Sequence, residues 1–148
     1  MDALQFLKDE HDEAKAVFRK LEKAKGAEAS RLWEELSSML SLHEELEETY
    51  FYPRLREASS TEDLILEGYQ EHHVMDLLIA EISALKPSDE AWEPKIKVLQ
   101  ENTEHHIEEE EGELFPKVRK VWDSGMRQRV GEEMEQAKAQ RKGRQRAA

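Results

Sequence analysis

The sequence predicts an all-α protein: an antiparallel up-down four-helix bundle with a short fifth C-terminal helix and a basic tail. Three observations lead to this prediction. Apolar residues recur at helical spacing in four long segments, and no segment alternates as a strand would. One pattern of His and Glu occurs twice, which indicates two related helical hairpins. The composition, 38% apolar and 38% charged, suits helices that bury a narrow stripe better than a large globular core.

The first hairpin is predicted from two apolar stripes. Asp2 can cap a first helix that ends at Gly26, with the stripe Leu4, Leu7, His11, Ala14, Val17, Phe18 and Leu21. A second helix over residues 28–58 has the stripe Leu32, Leu36, Met39, Leu40, His43, Leu46 and Glu47. Pro53 lies within the second helix and removes a backbone donor, so we expect a bend there with helix on both sides.

The second hairpin is predicted in the same way. Ser60 and Asp63 resemble a capping box that opens a third helix, which stops at Pro87. A fourth helix begins near residue 88 or 89, accepts Pro94 in its first turn and ends near residue 122. Pro116 lies within this helix, so we expect a bend there too, with helix on both sides. Neither hairpin can bury its stripe alone, so the two are predicted to pack together.

The repeat and the turn residues define the domain organisation. Apolar or small residues occupy the same offsets after His11 and after His72, so the first helix corresponds to the third and the second to the fourth. Residues 1–122 are therefore predicted to form one bundle. Residues 123–148 are predicted to form a short helix, from about Met126 to Gln140, and a basic, partly disordered tail.

Charge and composition exclude several classes of partner. The net charge of −12 argues against nucleic acid or an anionic membrane surface. The tail cations are expected to solubilise the chain end or to touch the acidic body; they are Lys138, Arg141, Lys142, Arg144 and Arg146. The absence of cysteine excludes disulfides and thiolate metal sites, and it fits a cytoplasmic location. No apolar run reaches membrane-spanning length, so we expect no membrane insertion.

Two copies of one motif carry residue types that bind metal ions. In each copy a His precedes a Glu by four residues and an aromatic–Pro pair follows: His43, Glu47 and Tyr52-Pro53 in the first, His106, Glu110 and Phe115-Pro116 in the second. Residues four apart share one face of a helix, so the His and the Glu of each copy can reach one centre. A further His lies upstream of each copy at a similar distance, His11 and His72.

The joint pattern predicts a metal site more strongly than any single pair. A lone His–Glu pair at this spacing is usually exposed, and a lone His on an apolar stripe is usually a hydrogen-bonded core residue. Here every member falls on an apolar stripe with no inward Lys or Arg nearby, and buried carboxylates without positive partners require cations. The predicted metal ligands are therefore His11, His43, Glu47, His72, His106 and Glu110. Their donors suit iron, manganese or zinc, and one carboxylate from each hairpin can bridge two ions roughly 3.5–4 Å apart.

The pattern resembles the hemerythrin-like HHE cation-binding domains over about residues 1–122. The resemblance rests on His11, His72, the two His-x-x-x-Glu motifs and the two aromatic–Pro pairs. It implies a non-haem centre of two iron ions, joined by an oxo or hydroxo bridge, in the middle of the bundle. In that family the matching His residues are terminal ligands and the matching Glu residues bridge. The family's activities include reversible oxygen binding, oxygen or iron sensing, iron handling, and peroxide or nitric oxide chemistry.

One position departs from the oxygen carriers of this family, which have a second His four residues after the third-helix His. Asp76 stands at that position. We expect Asp76 to face solvent and to accept a hydrogen bond from His72, rather than to bind metal. With one imidazole fewer, more positions stay open to an exogenous ligand. This weakens a pure oxygen-carrier interpretation and favours sensing or redox chemistry.

Two further histidines adjoin the predicted ligands. His73 and His105 fit the apolar offsets and the proline spacing less well than His72 and His106, so we expect them at the surface. Trp33, Tyr50 and Tyr52 can lie near the site, although most aromatic residues at helical spacing belong to the core.

The expected function is the binding of oxygen or a related small ligand, for storage or sensing, at a carboxylate-bridged pair of iron ions. One alternative is a di-iron oxidoreductase that acts on peroxide or nitric oxide. Another is iron handling, in which the metal mainly holds the hairpins together. No catalytic base, substrate-pocket motif or organic-cofactor fingerprint is recognisable, which disfavours an elaborate enzyme. The sequence does not predict an oligomeric state.

Overall fold

The computed structural model describes residues 1–147, with side chains through Arg144; Ala148 lies outside the described residues. Within residues 1–147 the chain is helical with short turns and contains no strand, which confirms the predicted all-α class. The α-helices are α1 (Ala3–Lys23), α2 (Gly26–Leu46), α3 (Tyr52–Arg56), α4 (Glu62–Ser83), α5 (Trp92–Glu109), α6 (Phe115–Val121) and α7 (Ser124–Ala147). None of these helices is both long and apolar enough to cross a bilayer.

Two π-helical turns, Glu47–Phe51 and Glu110–Leu114, connect α2 to α3 and α5 to α6. Each turn directly precedes an aromatic–Pro pair. The proline lacks the N–H that the regular helical hydrogen-bond ladder needs, so the ladder is interrupted there. In each, the amide of the aromatic residue donates to the carbonyl five residues back, from Tyr52 to Glu47 and from Phe115 to Glu110. Helix continues on both sides of each proline, as predicted, but a widened turn replaces a simple bend.

Several helix ends differ from the prediction. Gly26 begins α2 instead of ending α1, and its φ of +55° lies in the left-handed region that favours glycine. The predicted capping box of Ser60 and Asp63 is wrong: α4 begins after Thr61, whose buried hydroxyl donates to the carbonyl of Leu55 and closes the preceding turn.

The C-terminal helix is longer than predicted. α7 continues to Ala147, beyond the predicted end at Gln140. α7 packs on α1 and α2 through the buried side chains of Val130, Met134 and Ala137. Only glycine fits at position 131, because a Cβ there would collide with the carbonyl oxygen of Met1.

The hairpins and the core position a polar layer inside the protein. α1 packs along α2 and α4 along α5, and the pairs meet where α1 contacts α5 and α2 contacts α4. Buried apolar side chains form two clusters, one represented by Leu7, Leu46, Ile65 and Leu114, the other by Ala14, Leu40, Met75 and Leu99. On each of the four long helical segments the predicted metal-binding histidine lies between residues of these two clusters, so the histidine layer is enclosed above and below by apolar residues.

Candidate metal centre

The structure brings all six predicted metal ligands into one buried cluster, which we call the ligand cluster (His11, His43, Glu47, His72, His106 and Glu110). α1, α2, α4 and α5 each supply one histidine, and each π-helical turn begins with one of the two glutamates. Glu47 is completely buried and Glu110 is 3% exposed. The apolar spacing along each helix directs these side chains inward, as the sequence predicted.

The ligand cluster consists of two overlapping groups of four. The first quartet is His11, His43, Glu47 and Glu110, and the second quartet is Glu47, His72, His106 and Glu110. In each quartet one donor atom from every residue lies within 4.8 Å of the others. Each quartet therefore has its own pair of histidines, and both share the same two carboxylates. This is the arrangement expected for two ions joined by bridging carboxylates.

Four donor atoms of the ligand cluster are close to other members of the cluster but have no hydrogen-bond partner among the described side chains. His11 Nε2 lies 3.2 Å from Glu110 Oε1, and His43 Nε2 lies 3.2 Å from Glu47 Oε1. Neither imidazole nitrogen has a hydrogen-bond partner, and Oε2 of Glu47 and Oε1 of Glu110 also have none. Buried polar atoms without partners are rare in native proteins. Converging nitrogen and oxygen lone pairs of this kind fit a bound cation such as iron, manganese or zinc.

Four further carboxylates, which we call the outer carboxylates (Glu10, Glu48, Glu71 and Glu111), face the other nitrogen of each imidazole. The Nδ1-to-oxygen distances are 2.7 Å for His11–Glu111, 2.8 Å for His43–Glu10, 2.8 Å for His72–Glu48 and 2.6 Å for His106–Glu71. A carboxylate that accepts from Nδ1–H fixes the tautomer and leaves Nε2 free to bind a metal ion.

The outer carboxylates were not among the predicted site residues, although they obey the twofold repeat. Each is adjacent in sequence to a member of the ligand cluster, but it contacts a histidine on another helix: Glu10 next to His11, Glu71 next to His72, Glu48 next to Glu47 and Glu111 next to Glu110. The repeated Glu-His and Glu-Glu pairs were the available signal. Which histidine each carboxylate reaches depends on helix packing, which the sequence alone does not specify.

Asp76 does not have the role predicted for it. Its side chain is exposed, as expected, but the acceptor for His72 is Glu48, and Asp76 lies next to Glu44 instead. Glu44 is buried beside the ligand cluster. Burial, together with the neighbouring Asp76 carboxylate, raises the pKa of Glu44 to about 9, so this carboxyl is neutral at pH 7.

Tyr52, like the outer carboxylates, contacts the ligand cluster without having been predicted as one of its members. Its hydroxyl donates to Glu110 Oε2 at 2.6 Å and lies 3.4 Å from Nε2 of both His72 and His106. Burial, and then the charges of Glu110 and Glu47, raise the pKa of Tyr52 well above its ordinary value. Gly68 leaves room for the ring, since a Cβ there would lie 2.9 Å from the Tyr52 hydroxyl oxygen.

The twofold repeat is broken at this position. Phe115 is the counterpart of Tyr52, and its ring stacks on His11 with centroids 6.2 Å apart, as the Tyr52 ring stacks on His72 at 5.2 Å. The two aromatic residues therefore cover the two quartets in similar ways, but only the second quartet has a phenolic hydroxyl beside it.

The ligand cluster is electrostatically coupled. Burial alone would lower the pKa of all four histidines, but the neighbouring carboxylates raise each above its ordinary value, that of His72 to about 9. Burial alone would raise the pKa of Glu47 and Glu110, and the imidazoles hold both below their ordinary values. Without a metal ion the cluster is thus an imidazolium–carboxylate network, in which each group favours the charged form of its neighbours.

A small cavity adjoins the four imidazoles. Its volume is about 20 Å³, close to the space of one water molecule. The remainder of its wall is mostly apolar: Glu10, Ala14, Met39, Leu40, Met75, Thr103 and Ile107. Thr103 is 3% exposed, and its hydroxyl has no hydrogen-bond partner. The cavity therefore offers one unused hydroxyl next to the candidate metal centre.

His73 and His105 lie at the surface, as predicted. His73 is exposed, and the exposed His105 lies 3.0 Å from Glu109 on its own helix. Their positions support the choice of His72 and His106 as the inward-facing histidines.

Comparisons with known proteins agree with this geometry. The profile of the family described as hemerythrin HHE cation binding domain matches residues 2–118. A DNA nickase from Nostoc sp. (strain PCC 7120) is 26% identical over 140 residues, which are 94% of this chain but only 40% of that protein. The crystal structure of a hemerythrin HHE cation binding domain-containing protein from Mycobacterium kansasii has a TM-score of 0.85 at 25% identity, covering 97% of this chain and 88% of that one.

Proposed function

Because the chain belongs to the hemerythrin HHE cation-binding domain family, we propose that it is a di-iron protein that binds oxygen or a related small ligand for storage or sensing. The observation that carries this proposal is the pair of buried quartets that share Glu47 and Glu110. Manganese and zinc suit the same donors, so the choice of iron rests on the resemblance to the family.

In this proposal each residue of the ligand cluster has a defined role. His11 and His43 would hold the first ion, and His72 and His106 the second, while Glu47 and Glu110 would bridge them. α1, α2, α4 and α5 would each provide one imidazole. A bound iron pair would supply redox and Lewis-acid chemistry, and the outer carboxylates would keep the imidazoles aligned.

The size of the adjoining cavity supports a small ligand. About 20 Å³ accommodates a single water or a molecule of similar size. Asp76 is exposed and engaged with Glu44, so it leaves the second quartet without an extra protein donor. Both features favour a diatomic molecule or a peroxide as the exogenous ligand.

Thr103 is expected to hydrogen-bond such a ligand through its unpaired hydroxyl. Thr103→Val keeps the shape of the side chain but removes the hydroxyl, and we expect it to weaken azide binding to the iron-loaded protein about tenfold, which is within the range for one typical hydrogen bond. Thr103→Ser should stay close to wild type. Azide titration followed by absorption measures this effect, and equal affinities for all three proteins would contradict the role of Thr103.

Tyr52 favours a second candidate function, a di-iron oxidoreductase that acts on peroxide or nitric oxide. Its hydroxyl holds a proton 2.6 Å from Glu110 and lies beside the Nε2 atoms of the second quartet. A buried phenol at that position can donate a proton to a ligand bound between the histidines. DNA nicking is not proposed, because the chain spans about two-fifths of the Nostoc relative and its charge of −12 repels DNA phosphates.

Elemental analysis and absorption spectra of freshly purified protein, cycled between air and vacuum, test the proposal. We expect two iron ions per chain and a spectrum that changes reversibly with oxygen. Sustained turnover of peroxide or nitric oxide would instead favour the oxidoreductase. Full recovery of stability with zinc, and no response to any small ligand, would favour iron handling or a structural metal. A chain that takes up no metal would overturn the proposal.

A further inference from the structure

The C-terminal helix reaches the ligand cluster through one buried carboxylate. Lys138 on α7 places Nζ 2.7 Å from Oε2 of Glu10, and Oε1 of Glu10 lies 2.8 Å from Nδ1 of His43. The two oxygens of Glu10 thus connect a cation on α7 directly to a histidine of the first quartet. No other outer carboxylate has a Lys or Arg partner among the described side chains.

Glu10 also differs from the other outer carboxylates in its access to water. Its side chain is 7% exposed, whereas those of Glu48, Glu71 and Glu111 are 37%, 21% and 26% exposed. Water can screen the charges of the latter three. The charge of Glu10 is balanced mainly by Lys138 and His43, so the loss of Lys138 would change the electrostatic interaction between Glu10 and the His43 imidazole.

Packing holds Lys138 in position. Its ammonium lies 5.6 Å from the centroid of the Phe6 ring, and the helix that carries it is anchored by Met134 and Ala137, which are buried against the bundle. The contact is therefore part of the docked position of α7, and it is more than a chance approach of a flexible surface lysine.

We propose that Lys138 is a positioning residue for the metal centre. By neutralising Glu10, Lys138 sets how strongly His43 donates electron density to a bound metal ion. An outer carboxylate accepts a hydrogen bond from Nδ1–H and thereby makes Nε2 a stronger electron-pair donor to a metal ion. A cation paired with that carboxylate weakens this effect. Glu71, which is the counterpart of Glu10 in the repeat, lacks such a cation. The first ion is therefore the more easily reduced of the pair. This inference rests on the proposed metal site.

Reduction potentials of iron-loaded full-length variants test the role of Lys138. Lys138→Met leaves the charge of Glu10 uncompensated. We expect the equilibrium between the oxidised and the reduced centre to shift about tenfold toward the oxidised form, which is a negative shift of the reduction potential of about 59 mV for one electron. Lys138→Arg should restore the wild-type potential. Arg141→Met is the matched control, because it removes a cation from the same helix whose partner, Glu45, contacts no histidine.

A double variant shows whether the effect passes through Glu10. In Lys138→Met with Glu10→Gln, both charges are absent and most of the shift should disappear. A potential that is unchanged in Lys138→Met at full iron content overturns the inference and leaves the proposed function intact. Wild-type protein without iron overturns both.

A second measurement does not depend on iron or on that one variant. In the zinc-loaded protein, the ¹⁵N resonance of His43 Nδ1 should move in Lys138→Met or, if this variant does not fold, in Lys138→Gln, while that of His106 Nδ1 stays in place. Equal shifts at both histidines would indicate a general loosening of the bundle, and would overturn a specific role for Lys138.

Discussion

Glu47→Gln is expected to reduce metal binding from two ions per chain to at most one, with an affinity loss above the 10- to 100-fold that is typical of altering an outer partner. Glu47 is fully buried, and Oε1 lies 3.2 Å from His43 Nε2 and 3.1 Å from His72 Nε2. Glu47 therefore faces both quartets, as Glu110 also does. Glutamine has nearly the same volume, but its NH₂ group presents a donor where a cation needs a negative oxygen.

Glu44→Gln is the matched control for this prediction. Glu44 lies one helical turn before Glu47 on the same chain segment, and it is also buried. Burial and Asp76 raise its pKa to about 9, so the substitution replaces an already neutral carboxyl by a neutral amide. Metal content, measured by elemental analysis after dialysis, should stay at the wild-type value in Glu44→Gln. A normal metal content in Glu47→Gln would contradict the bridging role of Glu47.

The ligand cluster could be predicted from the sequence because its members share the period of the apolar stripes. Residues such as His43 and Glu47 follow the helical repeat on their stripe, so burial and mutual approach followed from local structure alone. The copy around His106 and Glu110 then made the inference much stronger than either motif by itself.

The outer carboxylates could not be assigned in the same way. Glu10 adjoins His11 in sequence but contacts His43, because a rotation of about 100° per residue directs neighbours on a helix to different partners. Only the relative rotation of α1 and α2 determines that contact. Lys138 was recognised as part of a basic tail, but its pairing with Glu10 required the docked position of α7.

Local hydrogen bonding accounts for the remaining differences. Pro53 and Pro116 predicted a disturbance of the helix, but not the π-helical form that it takes, which depends on where the freed carbonyls find donors. At the start of α4, Thr61 uses its hydroxyl to close the preceding turn, so the capping pattern of Ser60 and Asp63 was never realised. In such cases several local arrangements have similar energies, and tertiary packing selects among them.

Metal loading is expected to stabilise the protein, and the stabilisation should grow as the pH rises from about 6.5 to about 9. A ligand at 100 times its dissociation constant adds about 2.7 kcal/mol to the free energy of unfolding. For a chain of this size that corresponds to a rise in Tm on the order of 5–10 °C. Because the ligands must lose their protons to bind a metal ion, loading also releases protons.

The direction of the pH dependence follows from those groups of the metal-free protein whose pKa differs from its ordinary value. Its four inward histidines have a raised pKa, so their contribution to stability is complete below the ordinary value of 6.5 and is lost as the pH rises through the folded values, about 9 for His72. Glu47 and Glu110 have a lowered pKa, so their contribution is complete above the ordinary value of 4.5 and is lost at lower pH. The combined contribution of these six groups to the stability of the metal-free protein is therefore greatest between about pH 4.5 and 6.5.

The metal-loaded protein does not share the loss at high pH, because cations replace the protons that hold its donors together. Thermal unfolding of both forms across this range should therefore show a Tm difference that is smallest near pH 5 and widens toward pH 9. His73→Gln, which alters an exposed histidine beside His72, should leave both curves unchanged. If the metal-free protein is as stable at pH 9 as at pH 6, the imidazolium–carboxylate network does not exist, and the inward donors are held together by packing alone.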